Sequence, residues 1–333
     1  MPENNKKRIL TGDRTTGKLH LGHYVGSLKN RVLLQEEYDT FILLADIQAL
    51  TTHFEHPELL EKSIYEVALD NLSVGLDPEK MTFVQQSRIP SIGELTVYYS
   101  MLVSVNSLRH NPTIKTEAAN YGYSDMTYGF LGYPVSQSAD ITFCKANLVP
   151  VGEDQKPHME MTRKIVRRFN ELYGETLVEP EIMLSDCPRL MGLDGNAKMG
   201  KSLGNAIYLS DDRATVEQKV RAAVTDKNRI SVKDPGNPDV CTVSKYYKVF
   251  NPGEYENICT QCRGAGIGCV ACKKGLATCL NDLLEPFRER RAYYEGHMDE
   301  VKEIIISGSD KANRIGNETV KEVKEAMHIY IGD

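Results

Sequence analysis

The chain has 333 residues, a formal net charge of −6 and 41% hydrophobic residues, enough for two domains or for one large α/β unit with an appendage. The acidic balance excludes a general nucleic-acid coat but leaves local basic patches open. No apolar run reaches the ~18 residues of a membrane span, and the polar start MPENNKKRIL does not read as a secretory leader, so a cytoplasmic protein without membrane contact is expected. From the N-terminus, RILTG (8–12) is a short β-prone run, after which Gly12 and Gly17 are expected to supply a turn. LGHYVGSLKNRVLLQEEY (21–38) places Leu21, Val25, Leu28 and Val32 at helical spacing. TFILLADI (40–47) reads as a strand buried on both faces, PELLEKSIYEVALDNLSVGLD (57–77) as an amphipathic helix opened by proline, and MTFVQQS (81–87) as the next strand. This alternation predicts an α/β fold: a Rossmann-like doubly wound parallel sheet. The basic patch MTRKIVRRFN (161–170) reads as a solvated helix face. Beyond about residue 205 the strand runs stop, and DDRATVEQKVRAAV (211–224), CLNDLLEPFRERRAYYEG (279–296) and KANRIGNETVKEVKEAMHIY (311–330) read as helices. Residues 1–205 are therefore expected to form the sheet domain and 206–333 an appended, smaller all-α domain, with the last helix a candidate to return to the first.

Three local patterns carry chemistry. A helix that starts near Leu21, after the first strand of a parallel sheet, offers free N–H groups and a positive dipole end to an anion. His20 and His23 lie on one side of its first turn, and the dipole favours neutral imidazoles that donate to phosphate without a full charge. The bland alternative is two surface histidines. GNAKMGKS (195–202) formally satisfies the P-loop pattern through Gly195, Gly200, Lys201 and Ser202. Pro188 interrupts the preceding run, however, and Gly204 and Asn205 follow where the P-loop helix should continue. What remains is a loop with Lys198 and Lys201 three apart. Of eight cysteines, Cys144 and Cys187 are isolated and read as small core residues, whereas Cys241, Cys259, Cys262, Cys269, Cys272 and Cys279 are clustered. In a reducing compartment that clustering points to metal before disulfides. Two C-x2-C pairs, Cys259/Cys262 and Cys269/Cys272, would suit tetrahedral Zn²⁺.

HLGH (20–23) and KMGKS (198–202), in that order and context, resemble the HIGH and KMSKS signatures of class I aminoacyl-tRNA synthetases. Within that family, FILLADIQALTTH (41–53), YPVSQSADI (133–141) and VPVGEDQKPHMEMTRKI (149–165) resemble the tryptophanyl branch of bacterial type, over most of residues 8–210 and more loosely to the C-terminus. Two departures stand out: Arg14, Thr15 and Thr16 replace a Gln-Pro-Ser stretch, and His23 replaces an asparagine and looks more like the tyrosyl branch. Tyr133, Gln137 and Asp140 also fit the tyrosyl Tyr-x3-Gln-x2-Asp pattern, since a carboxylate accepts equally from an indole N–H or a phenol O–H. The absence of tryptophan from the chain fits an enzyme made when its own substrate is scarce.

The resemblance implies an ATP-dependent ligase that activates L-tryptophan to its adenylate, with Mg²⁺ on the phosphates, and then transfers it to tRNA(Trp). It implies a catalytic sheet domain, a helical anticodon-binding domain and a homodimer. Gly12, Arg14, Gly17, His20, Gly22, His23, Lys198, Met199, Lys201 and Ser202 are the implied ATP site. Lys198 and Lys201 would close over the pyrophosphate, with Lys115 as a third cation. Tyr133, Gln137, Asp140 and Gln155 are the implied tryptophan site, Asp140 accepting from the indole N–H while Tyr133 and Gln155 hold the α-amino group. For the cysteines the resemblance implies a [4Fe–4S] cluster on Cys241, Cys262, Cys269 and Cys272, leaving Cys259 as the alternative ligand of a Zn²⁺ site. A tyrosyl enzyme, a P-loop ATPase or kinase on 195–202, and a non-catalytic metal-containing RNA-binding protein remain open at this stage.

Overall fold

β1 (Arg8–Arg14), β2 (Asp39–Ala45), β3 (Met81–Gln85), β4 (Leu148–Val151) and β5 (Glu181–Leu184) form one sheet in the order β3-β2-β1-β4-β5, and every pairing is parallel. The structure is a computed structural model that describes residues 6–184, 190–195 and 198–332, with only the backbone described for Asp154 and Ser202. Cys187 and Pro188 lie outside the described residues. The strand order reverses between β1 and β4, the switch point of a doubly wound sheet, where ligands bind outside the carboxyl ends of the strands.

The connections are helical. A short α1 (Leu21–His23), a π-turn (Tyr24–Leu28) and α2 (Lys29–Leu34) link β1 to β2; α3 (Asp46–His53) and α4 (Glu58–Ser73) link β2 to β3. α5 (Pro90–Ser100), α6 (Val105–Arg109), α7 (Pro112–Tyr121) and α8 (Tyr128–Thr142) lead to β4, and α9 (Lys156–Tyr173) to β5. Then come α10 (Arg213–Ala222), α11 (Thr242–Phe250), α12 (Pro252–Arg263), α13 (Cys269–Glu295) and α14 (Met298–Ala326). The basic patch is the solvated face of α9: Arg163 and Arg167 pair with Glu179, and Arg168 with Glu171.

β2 shows why its apolar run is continuous. Ile42 and Leu44 enter one core with Leu21, Leu28, Val67 and Phe83, while Phe41 and Leu43 enter a second core on the other face with Tyr99, Phe130, Phe143 and Phe169. The helical segment shares the first core through Val216, Tyr246, Leu276 and Leu284. α14 returns to the sheet: Ala312, Val320 and Val323 lie in the second core, and Ser309 Oγ accepts from the Gln85 amide at 3.0 Å.

Two sequence expectations are corrected. β1 continues through Gly12 to Arg14, so the turn falls on Thr15–Gly17, where Gly17 has φ +96°. Gly12 serves close approach instead, because a Cβ there would stand 2.3 Å from the Leu43 carbonyl oxygen. The helices also outrun their reading: α13 begins at Cys269 rather than Cys279, and α14 at Met298 rather than Lys311.

Candidate functional site

At the switch point lies a cavity of about 380 Å³ lined from β1 by Gly12, Asp13 and Arg14, and from α8 by Tyr133, Gln137 and Asp140. Gln155, at the start of α9, closes another side. Its size suits a small ligand. Asp140 is buried, and Gln86 Nε2 donates to its Oδ1 at 2.8 Å. Burial pushes its pKa up to about 7; Gln86 opposes the rise and Asp46 adds to it. The Tyr133 hydroxyl lies 2.9 Å from His158 Nε2, and burial together with the Glu117 carboxylate keeps the phenol protonated. Arg14 donates to Thr52 Oγ1.

Beside the cavity, the HLGH turn is built by its own side chains. His20 Nδ1 accepts from the Gly22 amide and His23 Nδ1 accepts from the His20 amide, each at 3.1 Å. Both rings are therefore the tautomer with the proton on Nε2, ready to donate. Burial lowers His20 to about 2, the neighbouring His23 and the lysines adding to it. Burial lowers His23 to about 4 against the pull of Asp13. Neutral imidazoles thus follow from burial and the nearby cations rather than from the dipole of a helix that spans only Leu21–His23 before the π-turn. Gly22 is needed where it stands, since a Cβ would meet the His20 ring at 2.9 Å.

The lysine loop is tied to this turn. The Leu21 amide donates to the Ile207 carbonyl at 2.9 Å, and the Leu209 amide to the Leu19 carbonyl at 3.1 Å. Asn205 Oδ1 accepts from the Gly200 amide at 2.9 Å, and Met199 is buried. Lys201 Nζ reaches the Gly17 carbonyl at 2.7 Å. Burial lowers Lys201 to about 8, against the opposing pull of Asp13 and Asp70. Lys201–Leu203 is a single 3₁₀ turn ended by Gly204 at φ +63°, so the helix a P-loop must open does not follow. Lys198 is exposed. Lys115 is exposed on α7 and outside the cavity lining, which that helix supplies through Glu117 instead.

The cysteines of the helical segment form a neighbourhood. Arg229 Nη1 lies 3.9 Å from Cys262 Sγ and 4.0 Å from Cys269 Sγ. Burial, then the nearby Cys241, Cys262, Cys269 and Cys259, push the Cys272 thiol up to about 12. Cys259 Sγ turns to Ser244 Oγ at 3.7 Å. Among the described residues no group of three or more His, Cys, Asp or Glu side chains is arranged to hold a metal ion.

Sequence reasoning missed Asp13, Arg31, Gln86, Glu117 and His158, which line the cavity or bond to its residues. Gln86 stands in the strand reading MTFVQQS, where a polar residue at a strand's end on an apolar run was the available signal.

A sheet with this switch point, a histidine turn and a lysine loop is the frame of a nucleotide-activating α/β enzyme. The family model for class I tRNA synthetases (W and Y) matches residues 2–285, and the chain belongs to that family. It is 52% identical over 336 residues to a tryptophan–tRNA ligase of Streptococcus mutans, covering 98% of this chain and 99% of that one. Its structure is similar to tryptophanyl-tRNA synthetase from Campylobacter jejuni complexed with ADP and tryptophan, with TM-score 0.86 and 29% identity over 96% of this chain and 99% of that one. The enzyme from Mycoplasma pneumoniae is also similar, with TM-score 0.80 and 26% identity over 98% of each chain. Among the described residues no helix is long and apolar enough to cross a membrane.

Proposed function

We propose that this chain activates tryptophan with ATP and transfers it to tRNA(Trp). The observation that carries the reading is the end-to-end likeness to tryptophan–tRNA ligases, at 52% identity. The site supplies a mechanism. The tryptophan carboxylate attacks the α-phosphate of ATP in line, forming the carboxyl–phosphorus bond of the adenylate and expelling pyrophosphate; the tRNA 3′ ribose hydroxyl then displaces AMP. Little covalent work falls to the protein, so positioning and charge stabilisation dominate. Mg²⁺ would ride on the ATP phosphates and shield their charge.

In the cavity, Asp140 would accept from the indole N–H, while Tyr133, Gln155 and Gln137 orient the amino acid; their shared lining of one cavity supports this. His20 and His23, neutral and with Nε2–H free to donate, would hold phosphate oxygens. Gly12, Arg14, Gly17 and Gly22 would shape the floor of the ATP site, and Met199 with Ser202 the loop that covers it. Lys201 and Lys198 would neutralise the departing pyrophosphate. The position of Lys115 on α7 lends it no comparable support. Amino-acid-dependent exchange of pyrophosphate into ATP, run across the twenty amino acids, tests the reading: tryptophan alone should support it. Exchange driven better by tyrosine replaces the reading with the tyrosyl one, and ATP turnover without an amino acid overturns it.

We infer further that the cysteine neighbourhood is a structural metal site. Its thiol donors and the family resemblance favour a [4Fe–4S] cluster on Cys241, Cys262, Cys269 and Cys272, with Zn²⁺ on Cys259, Cys262, Cys269 and Cys272, which the two C-x2-C pairs would suit, as the alternative. No preformed group is required, because binding at such sites is coupled to their ordering. Anaerobically purified protein should be brown and bleach on Cys241→Ser but not Cys259→Ser; a colourless, zinc-loaded preparation indifferent to Cys241→Ser overturns the cluster. A homodimer is proposed through the face of α5, α6 and α8, where Met101 and Tyr128 are 69% and 80% exposed and an apolar cavity of about 220 Å³ opens. Light scattering of M101E should report a monomer. The cytoplasm, which holds tRNA, ATP and reduced thiols, is the proposed location.

A further inference from the structure

Beneath the HLGH turn lies a charged cluster that the mechanism above does not use. Asp70 on α4 is fully buried; its Oδ2 accepts from the Leu19 amide at 2.6 Å, and its Oδ1 accepts from Arg291 Nη1 at 2.6 Å. Arg291, 5% exposed, comes from the far end of α13 and is itself fixed by Glu66 and by Glu295 at 2.8 Å. The next residue of α4, Asn71, donates to Asp13 Oδ2 at 3.1 Å and accepts from Arg31 Nη1 at 3.0 Å. Arg31 in turn pairs with Asp13 and donates to the Gly12 carbonyl at 2.9 Å.

Consecutive residues of one helix thus grip both ends of the segment from Asp13 to Leu19, which the Thr15–Gly17 turn occupies. A buried ion pair is a poor device for stability alone, since an apolar pair of similar volume often does as well. It is a good device for fixing geometry, because a carboxylate with both oxygens engaged by an amide and a guanidinium has little freedom to rotate. The amide it holds belongs to the residue before His20, whose own amide and ring close the turn.

We propose that Asp70 is a positioning residue for ATP activation: oriented by Arg291, it holds the Leu19 amide and so sets where His20 and His23 stand against the nucleotide phosphates. This rests on the proposed reading of the site. The group also senses its setting. Burial raises Asp70 to about 6, with Arg291, the Leu19 amide and Lys18 opposing and Glu66 adding to the rise.

The test is pyrophosphate exchange with D70N, R291K and R291M, varying ATP and tryptophan separately. Tryptophan affinity is read from the ligand's own indole fluorescence, which no indole of the protein overlaps because the chain has no tryptophan. D70N and R291M are each expected to lower kcat/KM for ATP by ~10–100-fold, the scale of a misplaced catalytic group, with tryptophan affinity within twofold of wild type. R291K, which keeps the charge, should recover part of the loss. The double variant should lose no more than the worse single one, because both act through one contact. In the wild type the ATP KM should rise as pH falls below about 6, and D70N should lack that inflection. R291M reports the same axis if D70N does not fold. Unchanged ATP kinetics in either folded variant, or equal losses for ATP and tryptophan, overturn the proposal. Failure of the wild type to exchange with tryptophan would instead defeat the underlying reading.

Discussion

Asp140 shows what a single residue carries and what its neighbours change. Its place in Tyr-x3-Gln-x2-Asp is legible in the sequence, but its protonation is not, because Gln86 and Asp46 reach it from distant segments. Its folded pKa, about 7, lies above the ordinary carboxyl value of 3.8. The neutral form is therefore the one the fold prefers, and the stability this contributes is complete below pH ~4 and lost as pH rises through 7. Asp140→Asn should then raise the melting temperature at pH 8 relative to wild type, with little change at pH 4. In the same variant kcat/KM for tryptophan should fall, and the rise expected of the wild type as pH climbs through 7 should be lost. Calorimetry at the two pH values and exchange kinetics check the pair. Lys201 is the complementary case: the lysine pattern is visible in the sequence, whereas its contact with Gly17 is not. Lys201→Ala should slow adenylate formation by ~10²–10³-fold, the worth of one charge-stabilising donor, and leave tryptophan affinity unchanged. A raised substrate KM with near-normal turnover would count against it. Asp70, Asn71, Arg31 and Arg291 left no trace in the sequence because, the i,i+4 pair of Arg291 with Glu295 aside, the contacts that join them to one another and to the turn reach partners 18 to 221 positions away.

At the scale of elements, the first three strands were legible, whereas β4, β5 and the full length of α13 and α14 were not. β2 is a run of apolar residues because both faces are buried, and periodicity needs nothing more to find it. Glycine lowers helix propensity inside α13 and α14, yet Gly275, Gly308 and Gly316 each mark a close approach. A Cβ on Gly275 would meet the Tyr247 hydroxyl at 2.5 Å, one on Gly308 the Phe83 carbonyl oxygen at 2.1 Å, and one on Gly316 Ser91 Oγ at 2.2 Å. The same cause moved Gly12 from the expected turn into β1. Where the listener to a glycine is another backbone, substitution has no flexible side chain to displace. Gly308→Ala should therefore push α14 off β3 and cost ~1–3 kcal/mol, the usual cost of overpacking, although alanine is the better helix former by ~1 kcal/mol. Urea denaturation reads the balance. A gain in stability would mean that α14 sits less tightly on the sheet than its contacts indicate.

For the whole molecule, the composition shift near residue 205 marks where the helical segment begins, not where packing ends. Val216, Tyr246, Leu276 and Leu284 share a core with Leu21, Leu28 and Ile42 of the nucleotide face, and α14 closes the opposite face through Ala312, Val320 and Val323. Thr319 Oγ1 donates to the Phe143 carbonyl at 2.8 Å, and Lys145 pairs with Glu322 at 2.7 Å, so the C-terminal helix also completes the end of α8 that carries Asp140. Removing it would expose Phe83, Val84 and Phe143, all now within 1% of complete burial. At ~25 cal/mol per Å² of apolar surface, uncovering several such side chains removes stability comparable to the ~5–15 kcal/mol that holds a domain folded. A chain ending at His297 should therefore lose the sheet rather than leave it standing, with circular dichroism showing no cooperative thermal transition and tryptophan-dependent exchange abolished. A truncated chain that still melts cooperatively and still makes the adenylate would show that α14 is only an accessory to a fold that α10–α13 and the sheet complete without it.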